Sequence, residues 1–486
     1  MSITESELAV DTLGACRVDS PLATQIAARR QSRHSVDEDG RVLFDDTVSA
    51  ASGRGVPVDD LPGFEPSGAR RKIYFDPAKT RVAIVTCGGL CPGLNNVIRG
   101  IVHALTRHYG VNRIIGFRNG YQGFVASYGH PVVELTPANV EGIDERGGTI
   151  LGTSRGQQDP EEIVDCLERM NVNVLFVIGG DGSMRGAMKI SEVAHARGDK
   201  IAVVGVPKTI DNDIPYIDHS FGFQTAFEEA SGFLRAAHVE ACSAPNGVGL
   251  VKLMGREAGF IACYAALARG DADYVLIPEV PFQLDGDGGF LAQLRRRVIE
   301  REHAVVVLAE GAGQEHVPDA ARGLDASGNL KFKDIGSFIR KRMIEDFTRA
   351  GMDLNIRYFD PSYAIRSVPA NPYDSVYCLR LAHAAVHAGM AGRTATVVGR
   401  YHGRLVHLPM SLIVSDRNQV DPNGDLWLSV LEATDQPAHI GDDLPTNPTH
   451  DHSPTHDHSP THDHSPAHAD GATQNNSPAQ TGPIAV

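Results

Sequence analysis

From Arg81 onward the chain alternates short β-branched runs with stretches of helical spacing, and this alternation restricts the possible folds more than any other feature. Val82-Ala83-Ile84-Val85 leads into Gly88-Gly89, and Asn95 to Tyr109 then carries Val97, Ile98, Ile101, Val102 and Leu105 on one helical stripe. The unit recurs. Strands are expected at 113–117, 174–178, 201–206, 248–253, 273–277, 304–309 and 394–398, and helices near 183–197, 220–238, 257–269, 289–300, 335–349 and 373–390. Apolar strands separated by helices form parallel sheets covered on both faces, so the fold class is α/β. Roughly 355 residues are too many for one such sheet. Two similar three-layer α/β domains with mostly parallel sheets and an active-site cleft between them are expected, over 81–215 and 216–435, with the chain free to cross back between them.

Two runs then suggest chemistry. Val177-Ile178-Gly179-Gly180-Asp181-Gly182-Ser183 and Pro207-Lys208-Thr209-Ile210-Asp211-Asn212-Asp213 each set small and acidic residues just after an apolar run, at the rim to which a parallel strand delivers them. Glycines there let backbone N–H groups approach phosphate oxygens, and a helix starting near Gly182 aims its positive end at the same charge. Asp181 suits a Mg²⁺ ion bridging phosphates. The second run supplies two carboxylates and a hydroxyl, the parts that orient and deprotonate an attacking alcohol. Either run alone also fits an ordinary strand-to-helix turn or an acidic loop, and lipid and dinucleotide kinases carry a Gly-Gly-Asp-Gly turn too.

Composition narrows the partners. The net charge of −15 argues against nucleic acid, where Lys and Arg contacts to phosphate dominate binding. It leaves phosphorylated small molecules open, because a few local arginines suffice for those. No apolar run approaches the 18 or so residues of a membrane span, the acidic segment Met1–Glu7 lacks the basic and apolar parts of a signal peptide, and the 7 cysteines show no disulfide spacing. A cytoplasmic protein with free thiols is expected. Residues 1–70 are polar and read as a loosely ordered extension packing partly on the core. Residues 436–486 read as a disordered tail in which Thr449-His450-Asp451-His452-Ser453-Pro454 recurs at 455–460 and 461–466. Its His-x-His pairs suit only weak binding of Zn²⁺, Ni²⁺ or Cu²⁺.

The pair of runs, in this order and at this separation, resembles the phosphofructokinase family, which phosphorylates the 1-hydroxyl of fructose 6-phosphate. The resemblance covers approximately residues 80–435 and makes 81–215 the nucleotide-binding and 216–435 the sugar-phosphate-binding part. Gly88-Gly89-Leu90-Cys91-Pro92-Gly93-Leu94-Asn95 is similar to the first nucleotide loop of the plant-type and related atypical ATP enzymes. Gly147 to Arg155 matches the loop whose final arginine, Arg155, touches the transferring phosphoryl group. The family roles carried onto this chain make Asp181 the Mg²⁺ carboxylate and place Gly89, Gly180, Gly182 and Ser183 along the ATP phosphates. They make Asp211 the general base, with Thr209 and Asp213 orienting substrate and metal. Met254-Gly255-Arg256 and Glu310 match sugar-binding positions. Tyr363-Ala364-Ile365-Arg366 falls where bacterial relatives grip the 6-phosphate through His-x-x-Arg, so Arg366 is the firmer assignment and Tyr363 a departure. Arg357 aligns with an arginine that reaches a neighbouring subunit's site, which implies a homo-oligomer, at least a dimer. Gly247 stands where a second such arginine is usual.

Donor choice turns on two positions. Pyrophosphate users commonly carry Asp at the position of Gly182, where its charge opposes the ATP α-phosphate, and Lys at the position of Lys208. Gly182 favours ATP with Mg²⁺, Lys208 suits either donor, and the combination resembles the plant-type ATP branch. A pyrophosphate-dependent phosphofructokinase is the alternative. A non-catalytic sugar-phosphate-binding subunit is a second, though Asp181, Asp211 and Arg155 are all retained.

Overall fold

The computed structural model describes residues 3–23, 35–47, 57, 61–318 and 332–442. The alternating pattern builds two sheets. The larger runs, strand by strand, Val42–Leu43, Gly63–Pro66, Arg404–Pro409, Thr396–Tyr401, Ala202–Pro207, Val174–Gly179, Arg81–Thr86, Arg113–Phe117 and Val132–Glu134. Its five central strands, from Thr396–Tyr401 to Arg113–Phe117, are mutually parallel, and antiparallel strands close both sides. The smaller sheet is wholly parallel, in the order Tyr274–Leu276, His303–Ala309, Gly247–Leu253, Asn355–Phe359. Every residue of Val174–Gly179 and Ala202–Pro207 is buried, as sheets covered by helices on both faces require.

Helices fall close to the expected positions: Asp181–Arg197, Phe223–Cys242, Phe260–Arg269, Phe290–Arg301, Ile335–Arg349 and Pro372–Met390. Leu94–Ala104 is α-helical and continues as a π-turn over Leu105–Tyr109, where a continuous α-helix was expected. The strand expected at 394–398 lies at Thr396–Tyr401, which with Arg404–Pro409 joins the large sheet after the chain has built the small one.

The N-terminal extension packs partly on the core, and one boundary needs correction. Part of the polar N-terminal extension belongs to the fold: Phe64 is fully buried in the strand Gly63–Pro66, and Leu8 and Val42 are buried as well. Glu65 of that strand accepts from Arg393 Nη2 at 2.6 Å and meets the buried His407 at 3.2 Å. A polar sequence here conceals an ion pair network rather than a solvated loop. Order also continues past residue 436. Gln436 Oε1 accepts from the Val275 N–H at 2.6 Å, Ile440 is buried, and Asp442 Oδ1 accepts from the Gly288 N–H at 2.5 Å. The His-rich repeat lies outside the described residues.

Candidate active site

The parallel strands present their C-terminal ends to one cavity of about 250 Å³. Arg81–Thr86 delivers Gly88 and Gly89, Val174–Gly179 delivers Gly180 to Ser183, and Ala202–Pro207 delivers Lys208 to Asp213. Gly179 and Pro207 are register partners, so the two sequence runs emerge side by side. Gly89, Arg155, Gly180, Asp181, Gly182, Ser183, Lys208, Thr209, Asp211, Asp213 and Arg256 all line the cavity.

The loop carrying Arg155 is tied to the first glycine turn. Thr153 Oγ1 donates to the Gly88 carbonyl at 2.6 Å, the Gly88 N–H donates to the Ser154 carbonyl at 3.1 Å, and Asn95 Oδ1 accepts from the Ile150 N–H at 2.9 Å. The guanidinium groups of Arg155 and Arg366 then converge on Gly89, where a Cβ would stand 3.6 and 3.9 Å from them. At Gly182, on the first turn of its helix, a Cβ would meet nothing within 4 Å. Packing does not demand glycine there, and what its small size preserves is open cavity.

Two carboxylates dominate the electrostatics. Asp181 takes an ion pair from Arg185 at 2.5 Å, with Arg417 at 3.8 Å, yet its Oδ1 is buried without a hydrogen-bond partner. Burial pushes its carboxyl above the ordinary value despite those arginines, and Asp213 adds to the rise. Asp211 Oδ1 is likewise buried and without a partner. Burial, then the charges of Asp213 and Glu310, hold its carboxyl well above the usual range, while Lys208 and a backbone hydrogen bond from Arg256 pull the other way. The Asp211 N–H donates to Thr209 Oγ1 at 3.1 Å, and Asn212, in the left-handed region at φ 58°, turns the chain sharply between the two aspartates. Lys208 is buried, and its Nζ donates to the Gly89 carbonyl at 2.9 Å. Arg155, Arg185, Lys208, Arg256 and Arg417 thus make a basic cavity in an acidic chain.

The expected sugar-side residues separate. Met254-Gly255-Arg256 follows its strand and packs beside Glu310, since the Gly311 N–H donates to the Gly255 carbonyl at 3.0 Å. Burial raises the Glu310 carboxyl, opposed by Lys252, Arg256 and Arg366. Arg256 lies over the Phe332 ring at 4.6 Å, and Arg366 over the Tyr363 ring at 4.7 Å. Tyr363 is 76% exposed and serves as a platform for Arg366. Arg357 is not brought to the cavity: it sits on the edge strand of the small sheet, half-exposed, paired with Glu240 at 3.1 Å. At Gly247 a Cβ would stand 1.9 Å from the Ala241 carbonyl oxygen, so the close approach of helix Phe223–Cys242 leaves no room for an arginine.

Sequence reading missed Tyr121, Arg185 and Arg417. The Tyr121 hydroxyl donates to the Ser183 carbonyl at 2.6 Å and so braces the turn that carries Gly180 to Ser183. Arg185 was available from its i,i+4 spacing to Asp181. Arg417 had no signal, because it arrives from a distant segment and is fixed by an ion pair with Glu257.

A basic wall around two desolvated carboxylates at the rim of parallel sheets defines an α/β phosphotransferase. The phosphofructokinase family pattern matches residues 81–389, and the chain belongs to that family. An "ATP-dependent 6-phosphofructokinase" of Amycolatopsis methanolica is 57% identical over 447 residues, covering 91% of this chain and 97% of the relative. "ATP-dependent 6-phosphofructokinase 7" of Arabidopsis thaliana is 48% identical, covering 78% of each chain. Among solved structures, the pyrophosphate-dependent phosphofructokinase of Marinobacter aquaeolei matches with a TM-score of 0.60 at 20% identity, over 75% of this chain and 93% of its own. That likeness is one of fold. Among the described residues no helix is long and apolar enough to cross a membrane.

Proposed function

We propose that this protein transfers the γ-phosphoryl group of ATP to the 1-hydroxyl of fructose 6-phosphate, giving ADP and fructose 1,6-bisphosphate. The observation that carries the reading is the side-by-side emergence of Asp181 and Asp211 at a basic cavity, each with a buried oxygen left without a partner. Asp211 accepts the sugar hydroxyl proton as the O–P bond forms. Thr209 and Asp213 hold the acceptor and the metal side of the site in line with it. Arg155, converging on Gly89, stabilises charge spread over the transferring oxygens. The unpartnered Asp181 Oδ1 fits a hard cation, and Asp181 would hold the Mg²⁺ that accompanies ATP, which neutralises phosphate charge when bound. Gly89, Gly180, Gly182 and Ser183 border the donor phosphates, with the helix N-terminus aimed at them.

Met254, Gly255, Arg256, Glu310 and Arg366 form the sugar phosphate side, with Tyr363 buttressing Arg366. Arg357 does not line the cavity of its own chain and pairs with Glu240 on the surface, which supports a role toward a second copy in a homodimer. ATP is favoured over pyrophosphate because Gly182 leaves its space open while Lys208 is engaged by the Gly89 carbonyl. Two close relatives named as ATP-dependent support the same choice. A cytoplasmic setting agrees with free cysteines. Steady-state assays with fructose 6-phosphate and Mg²⁺, comparing ATP with pyrophosphate, test the proposal: turnover is expected with ATP, and turnover with pyrophosphate alone would overturn it.

A further inference from the structure

Helix Phe223–Cys242 ends beside the first residue of the strand His303–Ala309, on the opposite side of the small sheet's chain direction from the catalytic loops. His238 and Cys242 stand one helical turn apart on the same face. Cys242 Sγ lies 3.6 Å from His238 Nε2, and the rings of His238 and His303 meet edge-on with centroids 5.4 Å apart. One donor atom from each of the three residues falls within 4.8 Å of the others. Tetrahedral zinc, with Zn–N near 2.0–2.1 Å and Zn–S near 2.3 Å, sets its ligand atoms about 3.3–3.7 Å apart. Side-chain rotation on the order of 1 Å therefore closes the triad without moving backbone. Cys242 is exposed and both histidines are half-buried, so solvent reaches the site.

We propose that His238, Cys242 and His303 bind a thiophilic divalent cation of the zinc class through three protein ligands, with a fourth position open to water. Two imidazoles and a thiolate make a donor set that selects such ions over Mg²⁺ or Ca²⁺. On binding, the Cys242 S–H bond gives way to an S–metal bond and the proton passes to solvent, with no change in oxidation state. The ion would clamp the end of the helix to the start of the strand. None of the three residues lines the catalytic cavity, so its effect falls on the stability of the small sheet rather than on phosphoryl transfer.

The full chain, reduced and titrated with Co²⁺, tests this against the His-rich repeat, because residues 443–486 contain no cysteine and cannot give a thiolate-to-cobalt charge-transfer band. The wild-type chain should show that band and lose it when Zn²⁺ displaces the cobalt. Cys242→Ser should abolish the band, His303→Gln should weaken it, and Zn²⁺ should raise the melting temperature of wild type but not of Cys242→Ser. No charge-transfer band in wild type, or an undiminished band in Cys242→Ser, would overturn the proposal.

Discussion

Lys208 Nζ donates to the Gly89 carbonyl oxygen at 2.9 Å, joining the second acidic run to the first glycine turn in the cavity wall. This contact explains how a lysine characteristic of pyrophosphate users sits in a chain that keeps Gly182. Its charge holds the turn in place. Burial lowers the ammonium's affinity for its proton, while Cys91, Cys87, Asp213 and Asp211 restore part of it. Lys208→Met should remove the bond, leave a buried carbonyl without its donor, and reduce kcat/KM for ATP by roughly 10- to 100-fold. No pyrophosphate turnover should appear. Kinetics with both donors check this.

Gly182→Asp places a carboxylate in the space that a Cβ enters freely. Stability should hold or rise slightly, since an acidic residue in the first turn of a helix is favourable. ATP turnover should fall by roughly 10²-fold or more through repulsion of the phosphates near Asp181. Thermal unfolding and ATP kinetics on the same preparation separate the two effects.

The pH dependence follows from the raised carboxyl of Asp211. Asp211 accepts a proton only when ionised, so turnover should be lost as pH falls, along an acid limb above the ordinary aspartate value of about 3.9. Asp213→Asn removes a neighbouring negative charge and should move that limb to lower pH, whatever it does to the maximum rate. The pH profile of kcat/KM, which reports the ligand-free enzyme, is the measurement.

Glu65 carries a stability prediction. Burial would raise its carboxyl, but hydrogen bonds with His407 and Arg393, and their charges, hold it far below the usual range. The folded value is depressed, so the stabilisation is present above the unfolded value of about 4.3 and is lost as pH falls. Glu65→Ala removes the carboxylate of the buried Arg393 and leaves Arg70 with the Glu38 carboxylate alone, and should cost about 3–5 kcal/mol at neutral pH. Urea unfolding at pH 7 and again near pH 3, inside the range where the stabilisation is being lost, tests both magnitude and sign.

The parallel strands were legible because their β-branched runs leave few alternatives, and the cavity followed because its glycines and aspartates sit at the ends of those runs. Short outer strands such as Gly63–Pro66 and Val132–Glu134 were not, since a few residues carry no period and their pairing is decided by distant partners. Arg417 illustrates the same limit in the site: its ion pairs with Asp181 and Glu257 are purely tertiary. Gly247 was legible as a missing arginine, but only packing against Ala241 gives the reason.

The most direct test of the account is the turnover of Asp211→Asn with saturating Mg-ATP and fructose 6-phosphate. A near-isosteric amide keeps the turn at Asn212 and removes the proton acceptor, so kcat should fall roughly 10²- to 10⁴-fold with KM values little changed. A variant that turns over at the wild-type rate would contradict it.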